Sequence, residues 1–154
     1  MLFPIVLLGL WCFHTGWLTE IGVKKNLYYL KAVSWFISIL SWLTMITGTY
    51  IPYPWYRAEP PNGADLTQFP MAYLLVHPHL AFWEDYGMEW KEHIGWFVPI
   101  LTTAVAYILM RYGDRLKEET KIRNALIILL LIAFVLSGIS GLLGALVSKI
   151  APVR

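Results

Sequence analysis

Ala125-Leu-Ile-Ile-Leu-Leu-Leu-Ile-Ala-Phe-Val-Leu-Ser-Gly-Ile-Ser-Gly-Leu-Leu-Gly-Ala-Leu-Val147 runs 23 residues without a charge. As a helix it is about 35 Å long, enough to cross a hydrocarbon core of about 30 Å. Three further apolar stretches approach the same length: roughly Leu2 to Leu18, Ala32 to Tyr50 and Ile94 to Met110. Flanking Tyr, Trp, Lys and Arg complete the shorter ones. The chain therefore reads as one all-α transmembrane domain over 1-154, a four-helix bundle with helices near 2-20, 31-50, 93-111 and 124-147 and a long ordered outer loop at 51-92. Its 58% hydrophobic and 14% charged residues and mean hydropathy of +0.57 exclude a soluble enzyme domain, a disordered tail and a nucleic-acid binder. The first stretch has no basic residue before it, and Leu-Trp before Cys12 lacks the small residues of a lipoprotein cleavage site, so it is expected to stay as a helix.

Orientation follows from the basic residues. Lys24, Lys25 and Lys31 join helices one and two, and Arg111, Arg115, Lys117, Lys121 and Arg123 join helices three and four: eight on one side. The other side carries four, Arg57, Lys91, Lys149 and Arg154. Basic connections stay cytoplasmic, so a multi-pass protein of the plasma (inner) membrane is expected, with both termini and the 51-92 segment outside. That segment is acidic, with Glu59, Asp65, Glu84, Asp85, Glu89 and Glu92 against Arg57 and Lys91.

A connection of this length usually carries function. Tyr50-Ile-Pro-Tyr-Pro-Trp-Tyr-Arg57 and Pro60-Pro-Asn-Gly63 are too rich in proline to be helical throughout and predict an interfacial collar. Met71 to Trp83 is apolar enough to lie in the interface or to dip into the bilayer, and it contains His77-Pro78-His79. Asp85, Glu89 and His93 follow at a four-residue spacing and share one face if helix three starts early.

The four histidines are the functional lead, because the chain holds no catalytic signature. His14 lies inside helix one, where an ionisable group needs a partner: a cofactor, or a hydroxyl on a neighbouring helix. A bis-imidazole haem takes one histidine on each face, commonly from packed helices. By helical rise His93 stands roughly 27 Å above Arg111 and His14 only about 9 to 15 Å above the inner boundary, so pairing His93 with His77 or His79 is geometrically easier. Met45 in helix two is an alternative His/Met ligand, or simply packing. The same outer residues also read as a site for Cu or Zn, with imidazoles from His77, His79 and His93 and a carboxylate from Glu84, Asp85, Glu89 or Glu92, Glu89 foremost. Pro78 makes His77 extended, which is expected to aim the two neighbouring rings differently. As a plain alternative, these histidines are amphipathic anchors at the interface.

Ser137, Gly141, Gly144 and Ser148 line one face of helix four. Small faces let helix backbones approach closely, so this one predicts packing on another helix, another subunit or a flat cofactor. Ser34, Ser38, Ser41, Met45 and Gly48 form a comparable stripe on helix two. Pro99 is expected to kink helix three and free a carbonyl that Thr102 or Thr103 resatisfies. Trp55, Trp83, Trp90 and Trp96 fit an outer aromatic belt, whereas Trp11, Trp35 and Trp42 lie deeper, filling gaps between helices or stacking on a macrocycle.

Tyr73-Leu-Leu-Val-His-Pro-His-Leu-Ala-Phe82 resembles, over that stretch alone, the histidine-proline element of a family of small four-helix membrane proteins of unknown function. That family spaces its histidines further apart than His77 and His79, so the resemblance transfers no ligand. The four-helix plan is also similar to small membrane b-type cytochromes, a likeness of fold that does not fix function.

The leading expectation is a small, non-catalytic integral-membrane subunit of an electron-transfer complex. It would bind haem b near the outer face through two of His14, His77, His79 and His93, with a quinone or an external cytochrome as redox partner. The alternatives are a cofactor-free accessory subunit docked on other membrane subunits through the helix-four face, and an outer-face Cu or Zn protein. A transporter is disfavoured, because intramembrane charges are few and no broken, inverted repeat is visible. The single Cys12 excludes an internal disulfide.

Overall fold

A computed structural model describes the backbone of residues 2–15 and 20–151 and the side chains of residues 3–12 and 24–151. The described residues form helices and contain no strand. The long elements are α1 (Leu2–Thr15), α2 (Glu20–Tyr50), α7 (Phe97–Tyr112) and α8 (Thr120–Ile150); between α2 and α7 lie the short helices α3 (Pro52–Tyr56), α4 (Pro70–Val76), α5 (Pro78–Phe82) and α6 (Glu89–Gly95). Among the described residues three helical runs are long and apolar enough to cross a membrane: Lys24–Tyr56, Pro78–Arg115 and Thr120–Ile150. Apolar α1 has 14 residues, about 21 Å, and is short of a full crossing.

Hydrophobic runs and helix ends do not coincide. Helix two begins at Glu20 and not near 31, because Lys24, Lys25, Asn26 and Lys31 continue the helix while breaking the apolar run. Helix four extends beyond 124-147 at both ends for the same reason. The third run starts at Pro78, not near 93: α5 leads through a π-helical turn, Trp83–Met88, into α6, and α7 follows after a break at Trp96. Pro99 consequently falls in the first turn of α7, not inside a continuous helix. The carbonyl that its missing N–H would leave unpaired there is that of Gly95, at the break itself. Thr102 instead donates to the Val98 carbonyl at 2.9 Å, and Thr103 to that of Pro99 at 2.6 Å.

The chain divides into two compact units. The first comprises Met1–Trp42 and Phe97–Val135. Its core is Val6, Leu10, Leu27, Leu30, Ile37, Val105, Leu109, Leu116, Leu126 and Leu130. The helix-two stripe is a close seam here: Ser34 and Ser38 are buried, and Ser38 meets Thr103 at 2.8 Å. Trp42 Nε1 donates to the same Thr103 hydroxyl at 3.0 Å. Thr103 has one proton, spent on the Pro99 carbonyl, so it accepts from both Trp42 and Ser38 and ties α2 to α7. Glycine sets two further approaches. A Cβ on Gly9 would stand 2.5 Å from Leu30 Cδ2, and one on Gly113 would stand 2.7 Å from Leu27 Cδ1 and 2.8 Å from Lys31 Cε. Trp11, Trp35 and Trp42 have exposed surfaces, as lipid-facing residues would.

The second unit comprises Leu43–Trp96 and Leu136–Arg154, with Tyr56, Leu74, Met88, Val147 and Ala151 as its core. Proline organises this collar instead of unfolding it. Pro52, Pro70 and Pro78 each stand at the start of a short helix, where the absent N–H costs nothing. Between α3 and α4, Ala64 N–H bonds the Pro61 carbonyl at 3.0 Å across a turn in which Gly63 takes φ +80°. The face expected on helix four divides. Gly144 seats Lys91, whose Cε and Nζ would lie 3.3 Å from an added Cβ, whereas Gly138 and Gly141 have nothing within 4 Å among the described residues. Ser148 turns back to the Gly144 carbonyl at 2.7 Å.

Candidate functional site at the outer collar

The polar network of the second unit is carried by α3 with the Arg57 that ends it, the π-helical turn and α6. Two of these elements are short and start or end where the chain cannot continue an α-helix: α3 begins at Pro52, and the π turn passes over Gly87, whose place faces Trp83 and Val147 at 3.6 and 3.7 Å from an added Cβ. α3 brings Tyr53, Tyr56 and Arg57 against the acidic side chains of the other two. Tyr56 donates a hydrogen bond to Glu84 Oε2, and both residues are buried, 7% and 4% exposed. Tyr53 donates to Glu92 Oε2 at 2.9 Å. Arg57 Nη2 meets Glu89 Oε1 at 2.9 Å and Glu92 Oε2 at 3.3 Å, and its guanidinium lies 5.1 Å from the centre of the Tyr53 ring. Burial works against the charge of Arg57, but Glu92, Glu89 and Tyr53 together outweigh it, so the guanidinium holds its proton more tightly than usual. Arg57 Nε and Glu92 Oε1 are buried within this network with no hydrogen-bond partner. The network fastens the end of α3 to α6.

The carboxylates expected beside the histidines are thus already engaged: Glu84 by a phenol, Glu89 and Glu92 by Arg57. His93 sits one turn after Glu89, with Nδ1 2.7 Å from the Glu89 carbonyl and 4.0 Å from its Oε2. The Glu89–His93 half of the sequence spacing is therefore realised, while Asp85 lies in the π turn, whose wider winding breaks the four-residue repeat. A carbonyl only accepts, so His93 Nδ1 carries the proton and Nε2 is the open lone pair of the neutral ring. The imidazole is 78% exposed. Beside it is a shallow recess of about 230 Å³ lined by Glu89, Trp90, His93 and Ile94.

His77 repeats this arrangement on α4: its Nδ1 is 2.7 Å from the Tyr73 carbonyl, and its ring lies 4.4 Å from that of Tyr73. The expected extended backbone is present, with φ −100° and ψ 104° at His77. The rings of His77 and His79 are indeed turned, by 83°, yet their centres are only 5.9 Å apart. Met45 Sδ packs over Gly95, 3.2 Å from where a Cβ there would stand. The His14 side chain lies outside the described residues. Among the described residues no three His, Cys, Asp or Glu side chains gather as a metal cage.

Sequence reasoning named Glu84, Glu89 and Glu92 as carboxylates for a metal, and those near His93 also as acceptors for its imidazole, and did not find Tyr53, Tyr56 or Arg57 as their partners. The available signal was composition: a tyrosine-rich stretch followed by an acidic one inside a single connection. Comparison with protein-family models, with curated proteins and with solved structures finds no match for the chain.

Proposed function

We propose that this chain is a multi-pass plasma (inner) membrane protein that serves as a non-catalytic accessory subunit of a larger membrane assembly. In this reading the three long runs and the shorter α1, around which the bilayer thins locally, form a four-helix transmembrane bundle, with its termini and acidic collar on the extracytoplasmic side. One observation carries it: α8 keeps only 17% of its apolar window buried within the chain, and its Gly138 and Gly141 positions are open. Lipid can cover an apolar surface of any shape, but small residues on it favour a second helix, whose backbone can then come close. Gly141→Leu should leave the stability of the isolated chain intact and release it from its assembly, read as a fall in apparent mass when native membranes are solubilised in mild detergent. A chain that migrates alone in wild-type membranes refutes the proposal.

A second reading, haem b in an electron-transfer subunit, is favoured by the exposed His93 with its Nε2 open beside the Trp90 recess. That recess is smaller than the about 300–1,000 Å³ of enclosing ligand pockets. A porphyrin on His93 would therefore lie on an open face, its other ligand coming from a different element or subunit, with an external cytochrome or a quinone exchanging electrons there. A reduced-minus-oxidised spectrum with Soret and α bands, both lost in His93→Ala, supports this reading. A flat spectrum from the natively purified assembly removes it.

A further inference from the structure

We propose that His77 and His79 together bind a divalent transition-metal ion of the imidazole-preferring class, Cu²⁺ or Zn²⁺, at the joint between α4 and α5. The claim stands whether or not the chain is an accessory subunit.

The joint is built so that two imidazoles share one side of the chain. His77 is extended at the end of α4 and Pro78 opens α5 directly after it, so the chain turns between residues 77 and 79 and carries both rings at the joint. The result is the separation of 5.9 Å between ring centres. A metal about 2.0–2.1 Å from a ligating nitrogen sits roughly 3.2 Å from the ring centre, so two ligating imidazoles have centres roughly 4.5 Å apart at a right angle and 6.4 Å apart when opposed. The observed pair falls inside that window. A small rotation of His79, which is exposed, brings it to the roughly 5.2 Å of a tetrahedral site.

The tautomer is also set. The Tyr73 carbonyl takes the Nδ1 proton of His77, which leaves Nε2 as a lone pair, and the Tyr73 ring against the imidazole holds its plane. A ligating histidine whose other nitrogen donates to a backbone carbonyl is the usual supported arrangement at metal sites. The acidic excess of the 51-92 segment favours a cation, and imidazole pairs select Cu²⁺ and Zn²⁺ over Mg²⁺ and Ca²⁺. With two protein ligands, water or a partner's side chain fills the remaining positions, and the site stays open.

The test is titration of the detergent-solubilised full chain with Cu²⁺ alone, followed by electron paramagnetic resonance with resolution of the coordinated nitrogens, and repeated with Zn²⁺ as competitor. Wild-type protein should show two coordinated imidazoles, and Zn²⁺, the weaker of the two ions at imidazole sites, should displace the copper only in large excess. His79→Ala, a change at an exposed position, should show one imidazole and a dissociation constant at least about tenfold weaker, since even the loss of an outer-shell partner costs about 10–100-fold. His77→Ala should do the same, and His93→Ala should leave both readouts unchanged. Copper coordination that persists with two imidazoles in His79→Ala, or that is lost in His93→Ala, overturns the proposal, as does the absence of copper binding to the wild-type chain.

Discussion

Tyr56→Phe isolates the most demanding contact in the collar. The substitution keeps the ring, its packing against the Leu74, Met88, Val147 and Ala151 cluster, and removes only the hydroxyl that donates to Glu84. Glu84 is 4% exposed, so water does not replace the lost donor. Leaving a buried acceptor unpaired costs about 1–3 kcal/mol, and more if it is charged. For a chain of this length each kcal/mol is about 2–4 °C in Tm, so the expected fall is about 2–12 °C, read by tryptophan fluorescence during unfolding in detergent micelles. Glu84→Leu alone should destabilise similarly, because it strands the buried phenol. The double variant should recover most of the loss, since removing both partners spares the desolvation cost that removing one incurs. The cycle should give a coupling of about 0.5–3 kcal/mol. A Tyr56→Phe protein within about 0.5 kcal/mol of wild type, or strictly additive single changes, would refute the reasoning.

Thr103→Val should cost about 1–3 kcal/mol, because it removes the hydroxyl that meets the buried Ser38 and accepts from Trp42 at the α2–α7 seam; an unchanged Tm would count against it. Gly9→Ala forces Leu30 to move from 2.5 Å and should cost about 1–3 kcal/mol, whereas Gly138→Ala meets open space and should be neutral or stabilising by up to about 1 kcal/mol in the isolated chain; the order of the two Tm values checks this. Arg57→Ala should cost no more than about 1 kcal/mol and less at high salt, because Arg57 and Glu89 are partly exposed; a larger, salt-independent loss would show that the pair is sealed from water.

The apolar stretches made the long helices legible, since nothing else in the chain can satisfy its backbone in lipid. Their ends were not legible. Lys24, Lys25, Leu27, Leu30 and Lys31 are good helix formers, so α2 runs on through this stretch, and hydropathy sees the change of solvent rather than the end of the helix. The prolines of the collar were read as breakers, which they are between helices; at the starts of α3, α4 and α5 they are compatible with the helix that follows. The Tyr56–Glu84 pair was hidden because the two residues are 28 positions apart, and only the fold of the intervening turn and short helices makes them neighbours. The ring separation of His77 and His79 was hidden differently: the extended conformation was foreseen from Pro78, but the turn into α5 that brings the rings together was not. On helix four the small-residue pattern could not tell Gly144, which seats Lys91, from Gly141, which seats nothing among the described residues.

Membrane topology tests the account at its root. In a chain with Cys12 replaced by serine, single cysteines at Asn62 in the collar and at Lys117 in the basic connection before α8 should react oppositely with a membrane-impermeant maleimide. Asn62→Cys should label in intact spheroplasts, and Lys117→Cys only after permeabilisation. Equal labelling of both without permeabilisation, or labelling of Lys117→Cys alone, would contradict a protein that crosses the membrane with its acidic collar outside.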